Sequence, residues 1–238
     1  VIPRRNVIRR SDRYRSKSIA ANVDRALLVI SGEPRYDEAL LLRVLLAARA
    51  EDVLAGLVAS KQDLVTAAAA IEPRLALFES LGVPVWRVST NPETEQAGLD
   101  ILRAALADQR TLLLGQSGMG KSTLVNALVP TAGQQTASIS RALNSGRHTT
   151  TDTRAFALPG GGTLIDSPGF QTFEIDHLTH WQIAHAMAEF DALLGGCRFN
   201  DCQHGDEPGC AIRAAVEAGR IDPLRYRLFR ELTASRGG

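Results

Sequence analysis

Apolar runs rich in β-branched residues alternate with stretches of helical periodicity along the first half of the chain. Four runs predict buried strands of a parallel sheet, over residues 26–30, 53–59, 83–88 and 111–114. Helical stretches lie between them, over residues 37–50, 65–81 and 98–107. Because strands and helices alternate, the pattern predicts an α/β domain with helices covering a mostly parallel sheet.

The second half of the chain changes character twice. Residues 153–158 and 163–165 predict two strands that flank the turn Pro159-Gly160-Gly161-Gly162. After residue 176 the pattern becomes helical around a group of cysteines, and a last helix is predicted near residues 223–235. We therefore expect three parts: a basic N-terminal segment over residues 1–22, an α/β domain over 23–176 and a helical domain over 177–238.

The chain is close to neutral as a whole, but its beginning is strongly basic. The net charge of +1 over 238 residues argues against a general polyanion binder. Against the single acidic residue Asp12, the first 17 residues carry the following cations: Arg4, Arg5, Arg9, Arg10, Arg13, Arg15 and Lys17. This segment is either a solvated arm or a contact for the phosphates of a nucleic acid.

No segment of the given sequence resembles a signal peptide, and no apolar run reaches about 18 residues, the length that a membrane span requires. We therefore expect a soluble, cytoplasmic, monomeric protein with no membrane partner. The first residue is Val1 rather than Met, which suggests a fragment of a longer protein.

The segment Gly115-Gln116-Ser117-Gly118-Met119-Gly120-Lys121-Ser122 fits the phosphate-binding loop (P-loop) pattern. It follows a predicted strand and opens a predicted helix over residues 121–128, so backbone N–H groups and the helix N-terminus would face the phosphates. We expect Lys121 to reach the β- and γ-phosphates and to act in catalysis, and Ser122 to ligate Mg²⁺. The nucleotide-binding segment extends through Thr123.

A second phosphate motif, Asp166-Ser167-Pro168-Gly169, fits the switch II pattern of GTPases. Asp166 is expected to hold Mg²⁺ through water, and the Gly169 N–H to approach the γ-phosphate. Many GTPases carry a glutamine directly afterwards to orient the attacking water, but this chain has Phe170. His148 is our candidate for that role unless it is simply an exposed loop histidine. One of Thr149, Thr150 and Thr151 would close over Mg²⁺ through its hydroxyl; the spacing does not distinguish them, and we assign Thr150.

A base-reading motif comes before the P-loop, whereas ordinary GTPases carry it last. The segment Ser60-Lys61-Gln62-Asp63 follows a predicted buried strand. Asp63 would accept hydrogen bonds from guanine N1–H and the exocyclic amine, which adenine cannot offer. The usual first residue is Asn. The shorter Ser60 is expected not to span from the base to the P-loop side, which predicts weaker nucleotide binding. The rotated motif order indicates a circularly permuted GTPase.

All three cysteines of the chain lie close together with one histidine. Cys197, Cys202, His204 and Cys210 form the pattern Cys-x4-Cys-x-His-x5-Cys. In a cytosolic chain this set predicts a tetrahedral zinc site rather than disulfides. Four protein ligands leave no open position, so we expect one structural Zn²⁺.

These motifs together resemble the ribosome small subunit-dependent GTPase family, RsgA, also called YjeQ. The resemblance rests on the permuted order, the P-loop, the stretch from Arg147 to Thr151, the switch II motif with its hydrophobic successor, and the cysteine pattern. It implies a circularly permuted GTPase domain followed by a helical zinc-binding domain, with GTP or GDP and Mg²⁺ as ligands. It also implies that His148 takes part in catalysis.

The resemblance further implies a GTP hydrolase that acts late in maturation of the 30S ribosomal subunit. Such an enzyme is stimulated by the ribosome, binds 30S and 16S rRNA, and couples its nucleotide state to the release of assembly factors. Family members carry an N-terminal OB-fold, and we expect this chain to begin near its end.

Two other functions remain open on the sequence alone. One is a nucleotide-gated RNA-binding module without effective hydrolysis, which Phe170, Ser60 and the basic segment would all permit. The other is a P-loop ATPase, which Asp63 disfavours.

Overall fold

The computed structural model describes residues 3–11, 14–91, 93, 97–132 and 153–234. Its strands are β1 Val7–Ser11, β2 Ser16–Ala21, β3 Arg25–Ile30, β4 Leu54–Ala59, β5 Val85–Arg87, β6 Arg110–Gly115, β7 Arg154–Ala157 and β8 Thr163–Asp166. Its helices are α1 Glu38–Ala50, α2 Val65–Ser80, α3 Ala97–Leu106, α4 Lys121–Leu128, α5 His180–Ala186, α6 Ala211–Glu217 and α7 Pro223–Thr233, with a 3-10 turn at Ala188–Phe190.

Six strands form one sheet in the order β5-β4-β3-β6-β8-β7. All neighbours in it are parallel except β7, which runs antiparallel to β8. The central strands are almost wholly apolar because helices cover both faces of a parallel sheet. The strand predicted over residues 83–88 is shortened to Val85–Arg87, since β5 is an edge strand and only half-buried. The predicted α/β architecture is confirmed.

The topology explains how a rotated motif order can still build one site. The strands β4, β3, β6 and β8 are adjacent and parallel, so their carboxyl ends meet at one edge of the sheet. The base-reading loop follows β4, the P-loop follows β6 and switch II follows β8. Ligands of open α/β sheets bind at this edge.

The basic beginning of the chain folds into an antiparallel hairpin of β1 and β2, which the sequence analysis did not predict. Its apolar residues Val7 and Ile8 are buried, while most of its remaining residues are exposed. Asn6 fastens the hairpin to the domain by exchanging two 2.9 Å hydrogen bonds with the backbone of Val23. Two apolar residues between pairs of arginines are too few to form a recognisable strand pattern, so the sequence did not predict this hairpin.

The C-terminal helices are held to the sheet domain by a group of charged and aromatic contacts. Arg74 of α2 pairs with Glu38 of α1, and at 2.8 Å with Asp222, the N-cap residue of α7. The guanidinium of Arg225 stacks over the Phe78 ring, 5.3 Å from its centroid. Arg225 also pairs with Glu189, and both side chains are 5% exposed, so loss of either partner would leave a costly buried charge.

Among the helices in the described residues, none combines the length and the apolar character that a bilayer span requires.

Candidate functional site

The P-loop closes tightly between β6 and α4. Gly118 and Gly120 both have φ near +84°, a conformation that glycine adopts without strain, and Gly120 caps α4. The helix therefore begins at Lys121, as predicted, and its first N–H groups are available to an anion. Ser122 and Thr123 are exposed at the start of the helix.

Lys121 and Asp166 form a largely buried ion pair, with 8% and 13% of their side chains exposed. The register of β6 and β8 places Asp166 opposite Leu113, two residues before the P-loop begins. The cation predicted for the phosphates and the carboxylate predicted for Mg²⁺ therefore lie at the same point of the site.

Switch II lies directly against the P-loop. A Cβ added at Gly169 would stand 3.7 Å from the Ser117 nitrogen, so the loops approach within van der Waals contact. The next residue, Phe170, is 6% exposed and its ring lies 5.4 Å from that of Phe173. Phe170 therefore anchors switch II in the core and offers no group that could orient water.

The base-reading loop is joined to the P-loop through Ser60. Its hydroxyl oxygen lies 2.6 Å from the carbonyl oxygen of Met119 and 3.0 Å from that of Ile30. The expectation that Ser60 is too short to reach the P-loop side is therefore wrong. The two loops approach closely enough for a serine to make the connection, because β3 alone separates β4 from β6.

Lys61 and Asp63 each have a partner that fixes the side chain. The Lys61 ammonium donates to the carbonyl oxygen of Glu33 at 2.9 Å, and a Cβ added at Gly120 would lie 3.8 Å from the Lys61 stem. Asp63 accepts a 3.0 Å hydrogen bond from the Ser89 hydroxyl at one carboxylate oxygen, Oδ1. The sequence analysis did not assign this role to Ser89, which lies in a different loop and carries no local signal for it.

We expect Ser60→Ala to lower GDP affinity about fivefold, since one net hydrogen bond contributes roughly 1 kcal/mol and a buried carbonyl loses its partner. Fluorescence titration with a methylanthraniloyl-GDP probe measures it. Ser80→Ala is the matched control, because the Ser80 hydroxyl also donates to a backbone carbonyl, at 2.7 Å, but in an exposed position. Equal affinities of Ser60→Ala and the parent chain would show that the link between the loops contributes nothing to binding.

The four predicted zinc ligands meet in one cluster. One potential ligand atom from each of Cys197, Cys202, His204 and Cys210 lies within 4.8 Å of all the others. The Nδ1 atom of His204 faces the sulfur atoms, 3.5 Å from that of Cys197 and 3.8 Å from that of Cys210. A Cys₃His set of this size fits zinc, with His204 ligating through Nδ1.

A backbone N–H group points at each sulfur atom, and the one from His204 acts to lower the pKa of the Cys202 thiol. The donors are His204 to Cys202, Ala211 to Cys197 and Arg213 to Cys210, at 3.4, 3.4 and 3.5 Å. Burial and the neighbouring thiols act in the other direction and raise the pKa of Cys202 to about 12. A bound dication would offset that penalty, so the donor set is suited to a metal ion.

Four of the predicted residues, His148, Thr149, Thr150 and Thr151, lie outside the described residues, so their roles stay predictions. The predicted P-loop, switch II and base-reading residues all lie along the one sheet edge, and the cysteine cluster lies apart in the helical part. The other histidines of the helical part have separate partners. For example, the His180 Nε2 lies 2.9 Å from the carbonyl oxygen of Gln203.

A P-loop, a switch II loop and a base-reading loop on adjacent parallel strands, with the base-reading loop first in the chain, define a circularly permuted GTPase. The chain belongs to the RsgA GTPase family, which matches residues 1–176.

Two relatives and two solved structures agree with this assignment. The small ribosomal subunit biogenesis GTPase RsgA of Burkholderia mallei (strain SAVP1) is 49% identical over 229 residues, which cover 96% of this chain and 73% of the relative. The protein of the same name from Paraburkholderia phymatum is 50% identical over 230 residues, covering 96% and 72%. YjeQ from Thermotoga maritima superposes with a TM-score of 0.77 at 26% identity, covering 100% of this chain and 77% of that one. YloQ, described as a circularly permuted GTPase, superposes at 0.71 with 25% identity, covering 96% and 78%.

Proposed function

We propose that this protein hydrolyses GTP during maturation of the small ribosomal subunit, in the cytoplasm, and that its nucleotide state controls its binding to that subunit. The observation that carries the proposal is the convergence of the P-loop, Asp166 and Asp63 on one sheet edge in a chain of the RsgA GTPase family.

At the base end, Asp63 selects guanine over adenine. Ser89 donates to Oδ1 of its carboxylate and holds the group in place, so that one carboxylate oxygen accepts from guanine N1–H and the other from the exocyclic amine. Lys61 covers the P-loop with its stem, and Ser60 holds the base-reading loop at a set distance from the phosphate loop. Adenine would leave the carboxylate without donors, which disfavours its binding.

At the phosphate end, the P-loop from Gly115 to Thr123 binds the phosphates with its N–H groups. When nucleotide binds, the Lys121 side chain exchanges its ion pair with Asp166 for contacts with the β- and γ-phosphates. Ser122 and Asp166 are the residues that would hold Mg²⁺, which neutralises charge on the phosphates when bound. The Gly169 N–H donates to the γ-phosphate, so that the position of switch II depends on whether the γ-phosphate is bound.

Water activation requires a group other than residue 170, since the Phe170 ring is in the core. We assign the role to His148 and the closure over Mg²⁺ to Thr150. His148→Ala is expected to lose about 10²-fold or more of the subunit-stimulated turnover while binding nucleotide normally. Single-turnover GTP hydrolysis with purified 30S subunits measures the loss, and His185→Ala, an exposed histidine of α5, is the control. Stimulated turnover at the parent rate in His148→Ala would place water activation on another residue.

We further propose that residues 177–238 form a zinc-binding helical domain attached to a GTPase domain over 23–176. Cys197, Cys202, His204 and Cys210 would hold one structural Zn²⁺, which cross-links loops that otherwise have few apolar side chains to bury.

GTP turnover with and without purified 30S subunits, with GDP binding as a control, tests the proposed function. Strong stimulation is expected. A chain that binds GDP and small-subunit RNA but shows no turnover under any condition would instead be a nucleotide-gated RNA-binding module. Competition by ATP as strong as by GTP would contradict the guanine assignment.

A further inference from the structure

The N-terminal hairpin lies beside switch II and encloses a cavity with it. The cavity has a volume of about 210 Å³ and is lined by Arg10, Lys17, Ile19, Thr153 and the switch II segment 167–170. Arg10 and Lys17 face each other across the two strands, as cross-strand partners in the hairpin register. One wall of this cavity is therefore basic and the other is the segment that senses the γ-phosphate.

The two cations are available for a ligand. Within the described part of the chain, neither the Arg10 nor the Lys17 side chain has an ion-pair or hydrogen-bond partner. None of the described residues that line the cavity is acidic. A second cavity of about 260 Å³ adjoins the same two residues. Among its described lining residues the one carboxylate is that of Glu174, which is paired with Arg43 at 3.3 Å. The unneutralised positive charge favours an anionic ligand at this place.

Lysine usage supports a specific role for Lys17. The chain has only three lysines, Lys17, Lys61 and Lys121, among 27 basic residues. The other two belong to the nucleotide motifs, and the structure places the third against switch II. An ammonium is a compact point charge suited to a single phosphate oxygen, while the Arg10 guanidinium can engage two.

The hairpin is also tied to the chain that leaves switch II. The Ser11 N–H donates to the carbonyl oxygen of Glu174 at 2.7 Å, and Ser11 forms a parallel bridge with Ile175. The Ser11 hydroxyl accepts from the His177 N–H at 3.0 Å and lies 2.6 Å from the His177 Nδ1. The hairpin is thus held by Asn6 at the sheet domain and by Ser11 at the chain after switch II. Displacement of switch II would therefore move one cavity wall relative to the hairpin.

Building on the function proposed above, we propose that Arg10 and Lys17 bind a phosphodiester of an RNA backbone, and that switch II adjusts this site according to the bound nucleotide. The ligand is a backbone phosphate because both groups recognise negative charge, and phosphate oxygens receive most of the hydrogen bonds between proteins and nucleic acids. If one nucleotide raises the affinity of the hairpin for RNA, bound RNA raises the affinity of the protein for that nucleotide by the same factor.

The double variant Arg10→Ala/Lys17→Ala tests the proposal, with Arg4→Ala/Arg9→Ala as its matched control. The control removes the same charge from the same segment, at exposed residues that line neither cavity. The probe is transcribed small-subunit ribosomal RNA with a fluorescent label. Its affinity is measured by anisotropy over a series of KCl concentrations, with GDP and with a non-hydrolysable GTP analogue.

The parent chain is expected to bind this RNA with affinities that differ at least about fivefold between the two nucleotide states. In Arg10→Ala/Lys17→Ala, the salt slope is expected to fall by about 0.7 to 0.9, as the loss of one neutralised phosphate predicts. The difference between the nucleotide states disappears in that variant, whereas the control keeps most of it. GDP affinity and melting temperature stay at the parent values in both variants, which excludes misfolding.

Three results would overturn the proposal. If Arg10→Ala/Lys17→Ala has the same salt slope as Arg4→Ala/Arg9→Ala, the two residues do not form a phosphate site. If its salt slope falls but its RNA affinity still differs between the two nucleotide states, the site is not coupled to switch II. Competition by millimolar inorganic phosphate would indicate a small-anion site and not an RNA backbone. Because this binding experiment involves no hydrolysis, an absence of subunit-stimulated turnover in the parent chain would count against the proposed GTPase function alone.

Discussion

Asp63→Asn is expected to convert a guanine-binding protein into one that prefers xanthine nucleotides. The substitution replaces a carboxylate oxygen, which accepts from the guanine amine, with an amide group that donates. The guanine amine then faces another donor. Each unsatisfied group costs roughly 1–3 kcal/mol, so GDP affinity should fall by about 10²-fold or more. Xanthine carries a carbonyl oxygen in place of that amine and restores the pairing.

The measurement is a competition titration of GDP and XDP against a fluorescent nucleotide, in the parent chain and the variant. Asp52→Asn is the matched control, since it makes the same chemical change at an exposed residue between α1 and β4, at the other edge of the sheet. The amide of the variant keeps an oxygen that can still accept from Ser89, so the loop itself is expected to stay in place. An unchanged preference for GDP over XDP would remove Asp63 from base recognition.

Removal of the zinc ion is expected to unfold the helical part and leave the sheet domain folded. Structural zinc sites contribute on the order of 10 kcal/mol of apparent folding free energy. The ligand loops offer little replacement, because Cys197 and Cys202 are only half-buried. Loss of the ion should therefore release the loops around them and then α6 and α7.

The variant Cys210→Ser separates the loss of stability caused by zinc removal from a loss of helix capping. The Cys210 sulfur caps α6 by accepting from the Arg213 N–H, and a serine hydroxyl can accept the same bond. Lost stability in this variant therefore reports the metal. Metal analysis should give one zinc per parent chain and less in the variant, and hydrogen exchange should rise over residues 177–234. The exposed His185→Ala is again the control. A metal-free chain that melts like the parent would disprove a structural ion.

Such local unfolding would also test how firmly the two parts are joined. The contacts of Arg74 with Glu38 and Asp222 connect α1 and α2 to the N-cap residue of the last helix. If α7 unfolds on zinc loss, Arg74 keeps only its partner on α1. Nucleotide binding should survive, because the P-loop and the base-reading loop depend on neighbouring strands of the sheet.

Much of the fold and of the site could be predicted because the signals are local. The predicted helix over residues 121–128 is α4 as observed, since the P-loop glycines, the apolar periodicity and Pro130 define both of its ends. The cysteine spacing identified the metal cluster because short loops restrict where four ligands can go. Phe170 was recognised as unable to orient water from its chemistry alone, and its burial agrees with that.

The errors and omissions concern distances between segments that are remote in the chain. Whether Ser60 reaches the P-loop depends on the spacing of β4, β3 and β6, which no local pattern contains. The contact between Ser89 and Asp63 joins two loops across the β4–β5 pair. The sequence placed Arg10 and Lys17 in a basic segment of unspecified surroundings. In the structure they lie on a hairpin and line a cavity with switch II.

The amino-acid sequence by itself determined the class of protein and the nucleotide motifs and predicted the Cys₃His cluster of this chain, because each depends on a few neighbouring residues with a particular chemistry. Only the tertiary structure decided how the base-reading loop is tied to the P-loop, how Asp63 is oriented and what the N-terminal basic residues face. Those features arise from strand order and helix packing, which bring together side chains that the sequence separates by tens or hundreds of residues.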